Sequence, residues 1–240
     1  MVRAVVPVNI RARVHWALIR HRWLSEVFAN IDPSMEMSRV SEGTRLVIDG
    51  YPRSGNSYAR AAFLQANRDT LISTHRHSPR SVEAGLRRGI PVIVLVRPPR
   101  AAIASALQYE PSFSPAQAID LYRWFYEDIL PVADDVLIEP FAEVTGDFGQ
   151  VIRRCNQRFG TDFVPYEPTP EAELAVAEMI DQMASRMFRP EDMAHVVARP
   201  SMSRRAADDI IGVLDDRTVT RLDDLNALHD QVLAHRWHPD

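Results

Sequence analysis

The chain has 240 residues, of which 46% are hydrophobic and 25% charged, and its formal net charge is −4. This composition is ordinary for a soluble globular protein, and no apolar run approaches the roughly 18 residues that a membrane-spanning helix needs. The single cysteine, Cys155, excludes an intramolecular disulfide, and no His/Cys cluster indicates a structural zinc site, so we expect a cytoplasmic protein.

The basic residues are unusual in type and in distribution. All 28 are arginine, and residues 1–100 carry 16 of them against 7 acidic residues. Arginine is a planar, permanently charged fork that suits bidentate contacts with phosphate but does not act as a base near neutral pH. The first half of the chain is therefore the part in which an anion site is expected.

Residues 9–29 predict an amphipathic basic helix. Trp16, Ile19, Trp23 and Val27 fall along one helical stripe, with arginines around it. The segment lacks the continuous apolar core and the cleavage site of a signal peptide. We interpret it as a helix packed on the sheet, and a weak contact with a membrane surface is the alternative.

The next element reads as a strand, a tight loop and a helix. An apolar run at residues 45–49 meets a Gly/Pro/Ser turn, and a helical pattern follows at residues 59–65. Compared with the nucleotide-phosphate loop G-x-x-x-x-G-K-[ST], Gly50, Gly55 and Ser57 fall in place, but Asn56 occupies the lysine position. Such a junction is a ready anion site. The alternative is a plain strand-to-helix turn.

Strands and helices alternate through the following hundred residues, which predicts an α/β fold. The predicted strands are residues 70–74, 91–96 and 136–138, and the predicted helices are residues 78–88, 101–107, 116–130, 148–159, 170–186, 206–213 and 219–235. We expect a single domain with a central parallel sheet flanked by helices and a helical C-terminal extension. Its parts are an N-terminal helix and linker (1–44), an α/β core (45–162) and a helical C-terminal region (163–240).

The most apolar strand, residues 91–96, ends in Arg97. In phosphate-loop NTPases a buried strand ends instead in an acidic residue that helps to hold Mg²⁺. The chain therefore lacks both the loop lysine and the metal-binding acid, and it has Arg53, Arg97 and Arg100 at strand ends. This pattern predicts a ligand with two separate anionic groups and no metal, although Arg100 is better interpreted as a solvated charge at a helix start.

Three spaced motifs resemble the sulfotransferases that use 3′-phosphoadenosine 5′-phosphosulfate (PAPS). Residues 52–58, PRSGNSY, follow the loop pattern P-[KR]-S-G-[TN]-[TS]-[WY] of that family. Arg97 and Ser105 have the spacing of the Arg and Ser that hold the 3′-phosphate, and Thr74-His75 precedes Arg97 by the expected interval. The resemblance covers residues 45–162, and it implies a phosphate-loop-like fold.

The resemblance assigns a role to each matching residue. It implies that the loop binds the 5′-phosphosulfate, that Arg53 replaces the usual lysine at the bridging oxygen, and that His75 is the general base. His77 is a weaker rival for that role. The donor-binding residues implied by the loop and the 3′-phosphate motif are Arg53, Ser54, Gly55, Asn56, Ser57, Tyr58, Arg97 and Ser105. Tyr58 takes the place of an aromatic residue that stacks on adenine.

The C-terminal third departs from the family pattern. The family closes over the 3′-phosphate with a basic segment, and the counterpart proposed here is residues 199–205, with Arg199, Ser203 and Arg204 as donor ligands. This stretch lacks the R-K-G-x-x-G form, and a helix entry capped by Ser203 is an equal alternative. Residues 136–147 match only loosely, and Ser73 stands where many members have lysine.

These features together predict a PAPS-dependent sulfotransferase that acts on a hydroxyl or an amine of a small-molecule or carbohydrate acceptor. Neither a metal nor a nucleic-acid partner is expected. One alternative is a small-molecule kinase with a degenerate phosphate loop. The other is a non-catalytic nucleotide-binding or membrane-surface adaptor that uses the N-terminal basic helix.

Overall fold

A four-stranded parallel sheet forms the centre of the molecule, for which the computed structural model describes residues 38–109, 113–187 and 204–239. The strands are β1 (Leu46–Gly50), β2 (Ile72–Thr74), β3 (Val92–Val96) and β4 (Leu137–Pro140). Their spatial order is β2-β1-β3-β4, and every neighbouring pair is parallel. The predicted α/β class with a central parallel sheet is therefore confirmed. The carboxyl ends of all four strands meet at one edge.

Helices connect the strands and then form a C-terminal group. They are α1 (Asn56–Ala66), α2 (Pro79–Leu86), α3 (Pro99–Tyr109), α4 (Pro115–Ile129), α5 (Phe141–Gly146), α6 (Phe148–Phe159), α7 (Pro170–Met187), α8 (Arg204–Gly212), α9 (Asp216–Asp223) and α10 (Leu225–Ala234). A 3₁₀ helix, Leu130–Asp135, leads from α4 into β4. No helix among the described residues is long and apolar enough to cross a membrane.

Alternate strand residues face two hydrophobic layers. Val92, Val94 and Val96 of β3 join the layer of α2, α3, α4 and the C-terminal helices. Ile93 and Leu95 of the same strand join the layer of α1, α6 and α7. All five β3 residues are buried. A strand covered on both faces reads as a continuous apolar run, and this is the pattern the sequence has at residues 92–96.

Local sequence signals place several helix ends. Ser114 forms a capping box with Gln117, and Pro115 begins α4. Ser78 accepts a hydrogen bond from the Arg80 amide at the start of α2. At the other end of a helix, Gly160 stops α6 in the left-handed conformation.

One predicted helix needs correction, one observed helix was not predicted, and one predicted helix falls outside the described residues. The single helix predicted at residues 219–235 is two helices, α9 and α10, and Asp224 is both the C-cap of the first and the N-cap of the second. Aspartate competes with the backbone for hydrogen bonds and disfavours helix interiors. Helix α5 was not predicted, because its six residues are too short for a periodic pattern. The predicted N-terminal helix at residues 9–29 lies outside the described residues.

Candidate functional site

The loop between β1 and α1 occupies the carboxyl edge of the sheet. Gly50 ends β1 so close to β3 that a Cβ atom would lie 2.5 Å from the Leu95 carbonyl oxygen, and only glycine fits there. Arg53 and Gly55 then adopt left-handed backbone conformations, with φ values of 69° and 96°. These two residues turn the chain from the strand into α1.

The start of α1 has no side-chain cap. Gly55 is the N-cap residue, and no side chain accepts a hydrogen bond from the first turn. The first amides of any α-helix have no acceptor within the helix, so those of Asn56, Ser57 and Tyr58 remain available to a ligand. An uncapped helix N-terminus behind a glycine turn favours an anion.

The Ser54 and Asn56 side chains face inward. Asn56 is buried, and its Nδ2 donates to the Tyr51 carbonyl oxygen at 3.2 Å, so the side chain braces the loop from within. Ser54 is also fully buried, beside the Tyr126 phenol. Any contact of these two residues with an anion would therefore come from their backbone amides.

Arg97 joins the loop to the end of β3. Its Nη1 donates to the Arg53 carbonyl oxygen at 2.8 Å, and its guanidinium lies 4.4 Å from the centroid of the Phe141 ring. The Tyr122 hydroxyl donates to the Arg97 carbonyl oxygen at 2.8 Å, which fixes the backbone at this point. Burial and the nearby Arg53 charge lower the pKa of Arg97 to about 10. Within the described residues no carboxylate lies at ion-pair distance from Arg97.

The Arg53 side chain reaches from the loop to α3. Its Nε donates to Ser105 Oγ at 3.1 Å. The resemblance assigned these two residues to different ends of the donor, Arg53 to the bridging oxygen and Ser105 to the 3′-phosphate. In the structure Arg53, Arg97 and Ser105 form one cluster, which we call the arginine cluster.

His75 lies on the other side of the loop, directly after β2. Its Nε2 is 3.0 Å from Ser57 Oγ, its Nδ1 is 2.8 Å from Thr74 Oγ1, and its φ is 64°. Burial, followed by the charges of His77 and Arg60, lowers the pKa of His75 to about 3. The imidazole is therefore neutral at pH 7, with one ring nitrogen able to accept a proton.

His77 has a fixed tautomer. Its Nδ1 is 2.8 Å from the Gly50 carbonyl oxygen, which only accepts, so Nδ1 carries the proton and Nε2 is the basic nitrogen. The ring centroids of His75 and His77 are 5.8 Å apart. Both histidines lie at the carboxyl edge near the loop, and His77 remains the second candidate for a base.

Sequence reasoning missed the buried Asp49 at the end of β1. Its carboxylate accepts hydrogen bonds from the Gly50 amide at 2.9 Å, the His77 amide at 3.1 Å and Ser81 Oγ at 2.6 Å. Burial raises the pKa of Asp49 above its ordinary value. A carboxylate inside the apolar run LVIDG was the available signal, because a buried acid needs several donors. Asp49 ties the His77 backbone to β1.

The remaining predicted site residues lie apart from these groups or outside the described residues. The half-buried Tyr58 ring packs edge-on against Phe148, with centroids 6.4 Å apart, and its stacking on adenine stays a prediction. Arg199 and Ser203 are outside the described residues, and of Arg204 only the backbone is described, as the first residue of α8. Arg100 forms an exposed ion pair with Asp223 at 3.4 Å.

Two open clefts lie at the opposite edge of the sheet. One, of about 660 Å³, is lined by residues that include Asp134, Arg158 and Trp237. The other, of about 730 Å³, includes Thr44 and Pro91, which precede β1 and β3. Neither includes a residue of the β1–α1 loop. Open parallel sheets bind ligands beyond the carboxyl ends of their strands, so we place the candidate site at the loop and not in these clefts.

No family model matches the chain, and no curated protein matches it. Among solved structures, the crystal structure of the mouse sulfotransferase SULT7A1 complexed with PAP is similar at a TM-score of 0.46 and 14% identity, over 79% of this chain and 85% of that chain. A likeness this distant does not assign a function to the chain.

Proposed function

We propose that this protein is a PAPS-dependent sulfotransferase that transfers a sulfuryl group to a hydroxyl or an amine of a small-molecule or carbohydrate acceptor. The observation that carries the proposal is the arrangement around the β1–α1 loop, which leads into the uncapped N-terminus of α1. Arg53, Arg97 and Ser105 lie on one side of this loop, and His75 lies on the other. Arg97 and Ser105 come from separate elements, and the loop is the point at which they meet.

The residues fit a donor with two anionic groups. The uncapped first turn of α1 suits the 5′-phosphosulfate. Arg97 has a guanidinium without a described carboxylate, and Ser105 lies one hydrogen bond from Arg53, so this cluster suits a phosphate. The donor is a substrate in this reaction and is consumed at each turnover.

The chemical step follows from the charges at the site. The acceptor oxygen or nitrogen forms a bond to sulfur while the bond from sulfur to the bridging oxygen breaks, and the electron pair of that bond leaves with 3′,5′-ADP. Arg53 and the loop amides stabilise the negative charge that develops on the leaving phosphate. His75 takes the acceptor proton, which a neutral imidazole is able to do. Ser57 Oγ, 3.0 Å from His75 Nε2, occupies the position that we assign to the acceptor atom.

The proposal is tested by incubating the protein with PAPS and a panel of alcohols and amines while 3′,5′-ADP release is measured. We expect His75→Ala to lower the rate by about 10²–10⁴, as loss of a general base does. Arg53→Ala should lower it by about 10²–10³, because it removes a donor to the leaving group. Exposed His238→Ala is the control and should leave the rate unchanged.

Two results would contradict the proposal. The first is release of 3′,5′-ADP that continues undiminished in both variants. The second is tighter binding of Mg·ATP than of 3′,5′-ADP, which would favour the kinase alternative.

A further inference from the structure

Arg60 is a half-buried arginine beside the proposed catalytic centre. It lies three residues after Ser57 on α1, and residues at this spacing share one face of a helix. Ser57 is hydrogen-bonded to His75, and the Arg60 charge is close enough to the imidazole to disfavour its protonation. Arg60 therefore lies next to the position that we assign to the acceptor.

The Arg60 guanidinium has no acidic partner in residues 38–109, 113–187 and 204–239. It makes no ion pair and no hydrogen bond with any residue in these ranges. A guanidinium has five N–H donors, and removing it from water is costly unless acceptors replace the water. This site is half-closed to solvent and supplies no such acceptor from the described chain.

Four buried or partly buried arginines of the described chain each have a carboxylate partner. These pairs are Arg80 with Glu83 and Asp128, Arg154 with Glu139, Arg221 with Asp120, and Arg236 with Glu143. Arg60 has no carboxylate partner among the described residues, and unlike Arg97 it lies outside the proposed donor site. The lack of a partner at Arg60 therefore needs an explanation of its own.

The surroundings of His75 favour an anion. The neighbouring groups that affect its charge are His77 and Arg60, and neither is acidic. Asp49, the buried acid beside His77, already accepts hydrogen bonds from Gly50, His77 and Ser81. The Arg60 guanidinium is the permanent positive charge beside this imidazole, and a positive charge at a site attracts anionic substrates and raises their local concentration.

We propose that Arg60 binds an anionic group of the acceptor, so that the substrate is an alcohol or amine that also carries a carboxylate, sulfonate or sulfate. This inference rests on the proposed function, because it uses His75 as the point at which the reacting group lies. The fork of Arg60 accommodates two oxygens of such an anion side by side. Side chains three residues apart on a helix are about 5–6 Å apart at Cβ, which sets a short distance between the anion and the reacting group.

Calorimetry on the full chain saturated with 3′,5′-ADP tests the proposal, since the nucleotide fills the phosphate positions of the donor. The probes are 4-hydroxybenzoate and 4-hydroxybenzenesulfonate, with 4-hydroxybenzyl alcohol as the neutral counterpart. We expect the wild type to bind the two anions at least tenfold more tightly than the alcohol. Arg60→Met should remove this preference, and Arg60→Lys should retain part of it, because lysine keeps the charge without the fork.

Arg68→Met is the matched control, because it removes the same charge from an exposed position just after the same helix. It should retain the full preference for anions. Affinity for 3′,5′-ADP should be unchanged within twofold in Arg60→Met. Circular dichroism and urea unfolding of each variant establish that it is folded before binding is compared.

The outcomes separate this inference from the proposed function. A wild type with no preference for the anions, including one that binds none of the probes, overturns the inference, as does a preference that survives in Arg60→Met. A parallel loss of 3′,5′-ADP affinity in Arg60→Met would move Arg60 to the donor site and also overturn it. Failure of the wild type to bind 3′,5′-ADP would instead contradict the proposed function, and the same titrations without nucleotide would still test Arg60.

Discussion

Two neighbouring strands of the sheet end beside arginines, of which Arg154 is buried and Arg97 half-buried. Arg154 has a carboxylate partner, and Arg97 has none among the described residues. At the end of β4, Glu139 forms two hydrogen bonds with Arg154, at 2.7 and 2.6 Å. At the end of β3, Arg97 contacts a carbonyl oxygen and an aromatic ring, and no described carboxylate reaches it. The strands are paired, with Val96 beside Pro140, so the two sites share one edge. One ionic site is complete within the described residues, and the other is not.

The pKa values of the two arginines follow the same division. Burial disfavours the charge of Arg154, but the hydrogen bonds and charge of Glu139 outweigh it and raise the pKa of Arg154 above its ordinary value. Burial and Arg53 lower the pKa of Arg97. An arginine that is paired with a carboxylate of the protein therefore stabilises the fold. An arginine without such a partner is stabilised when an anion binds. This difference is a physical reason to assign Arg154 to structure and Arg97 to ligand binding.

The largest effect is expected when the complete site is broken. Arg154→Met leaves Glu139 buried, with Arg236 at 3.8 Å as its remaining cation. Removing one partner of a buried ion pair costs about 3–5 kcal/mol, which urea unfolding would detect as a lower midpoint. A double variant, Glu139→Leu with Arg154→Met, should be more stable than the single variant, because it leaves no unpaired charge. A single variant as stable as the wild type would contradict the structural assignment.

A smaller effect, of a different kind, is expected at the incomplete site. Arg97→Met should reduce 3′,5′-ADP affinity by about 10- to 150-fold, since a hydrogen bond to a charged group contributes about 1.5–3 kcal/mol. The free energy of unfolding should change by less than about 1 kcal/mol, because no buried carboxylate loses its partner. Calorimetry and urea unfolding of the same preparation measure both quantities. A large loss of stability with unchanged nucleotide affinity would reverse the interpretation of Arg97.

The sequence predicted the positions of these groups along the chain better than their contacts. The β-branched run at 92–96 and the apolar period at 148–159 specified β3 and α6, because burial on two faces or on one stripe leaves a regular pattern. Parallel strands share a carboxyl edge, so residues that follow the strands, such as Arg53, His75 and Arg97, lie at the same edge of the sheet. The contacts that these side chains make could not be predicted in the same way.

The contacts themselves depend on tertiary packing that leaves no local pattern. The left-handed backbones of Arg53, His75 and His77 occur at non-glycine residues, where the sequence gives no signal. The bond from Arg53 to Ser105 joins residues 52 positions apart, and the pair of Glu139 with Arg154 depends on how α6 packs against β4. Arg60 was not singled out, because its lack of an acidic partner is visible only once every neighbour is placed.

The smallest effect is expected at an arginine that is paired but exposed. Arg100 and Asp223 are 3.4 Å apart, and about half of each side chain is accessible to solvent. Exposed pairs of this kind contribute about 0.2–1 kcal/mol, so Arg100→Met should change the free energy of unfolding by less than 1 kcal/mol. It should also leave 3′,5′-ADP affinity unchanged, although Arg100 is only three residues from Arg97 and loses the same charge. Arg100→Met could instead weaken nucleotide binding as much as Arg97→Met does. Total positive charge near the loop would then explain the affinity for 3′,5′-ADP. The absence of an acidic partner would no longer distinguish a ligand-binding arginine from a structural one.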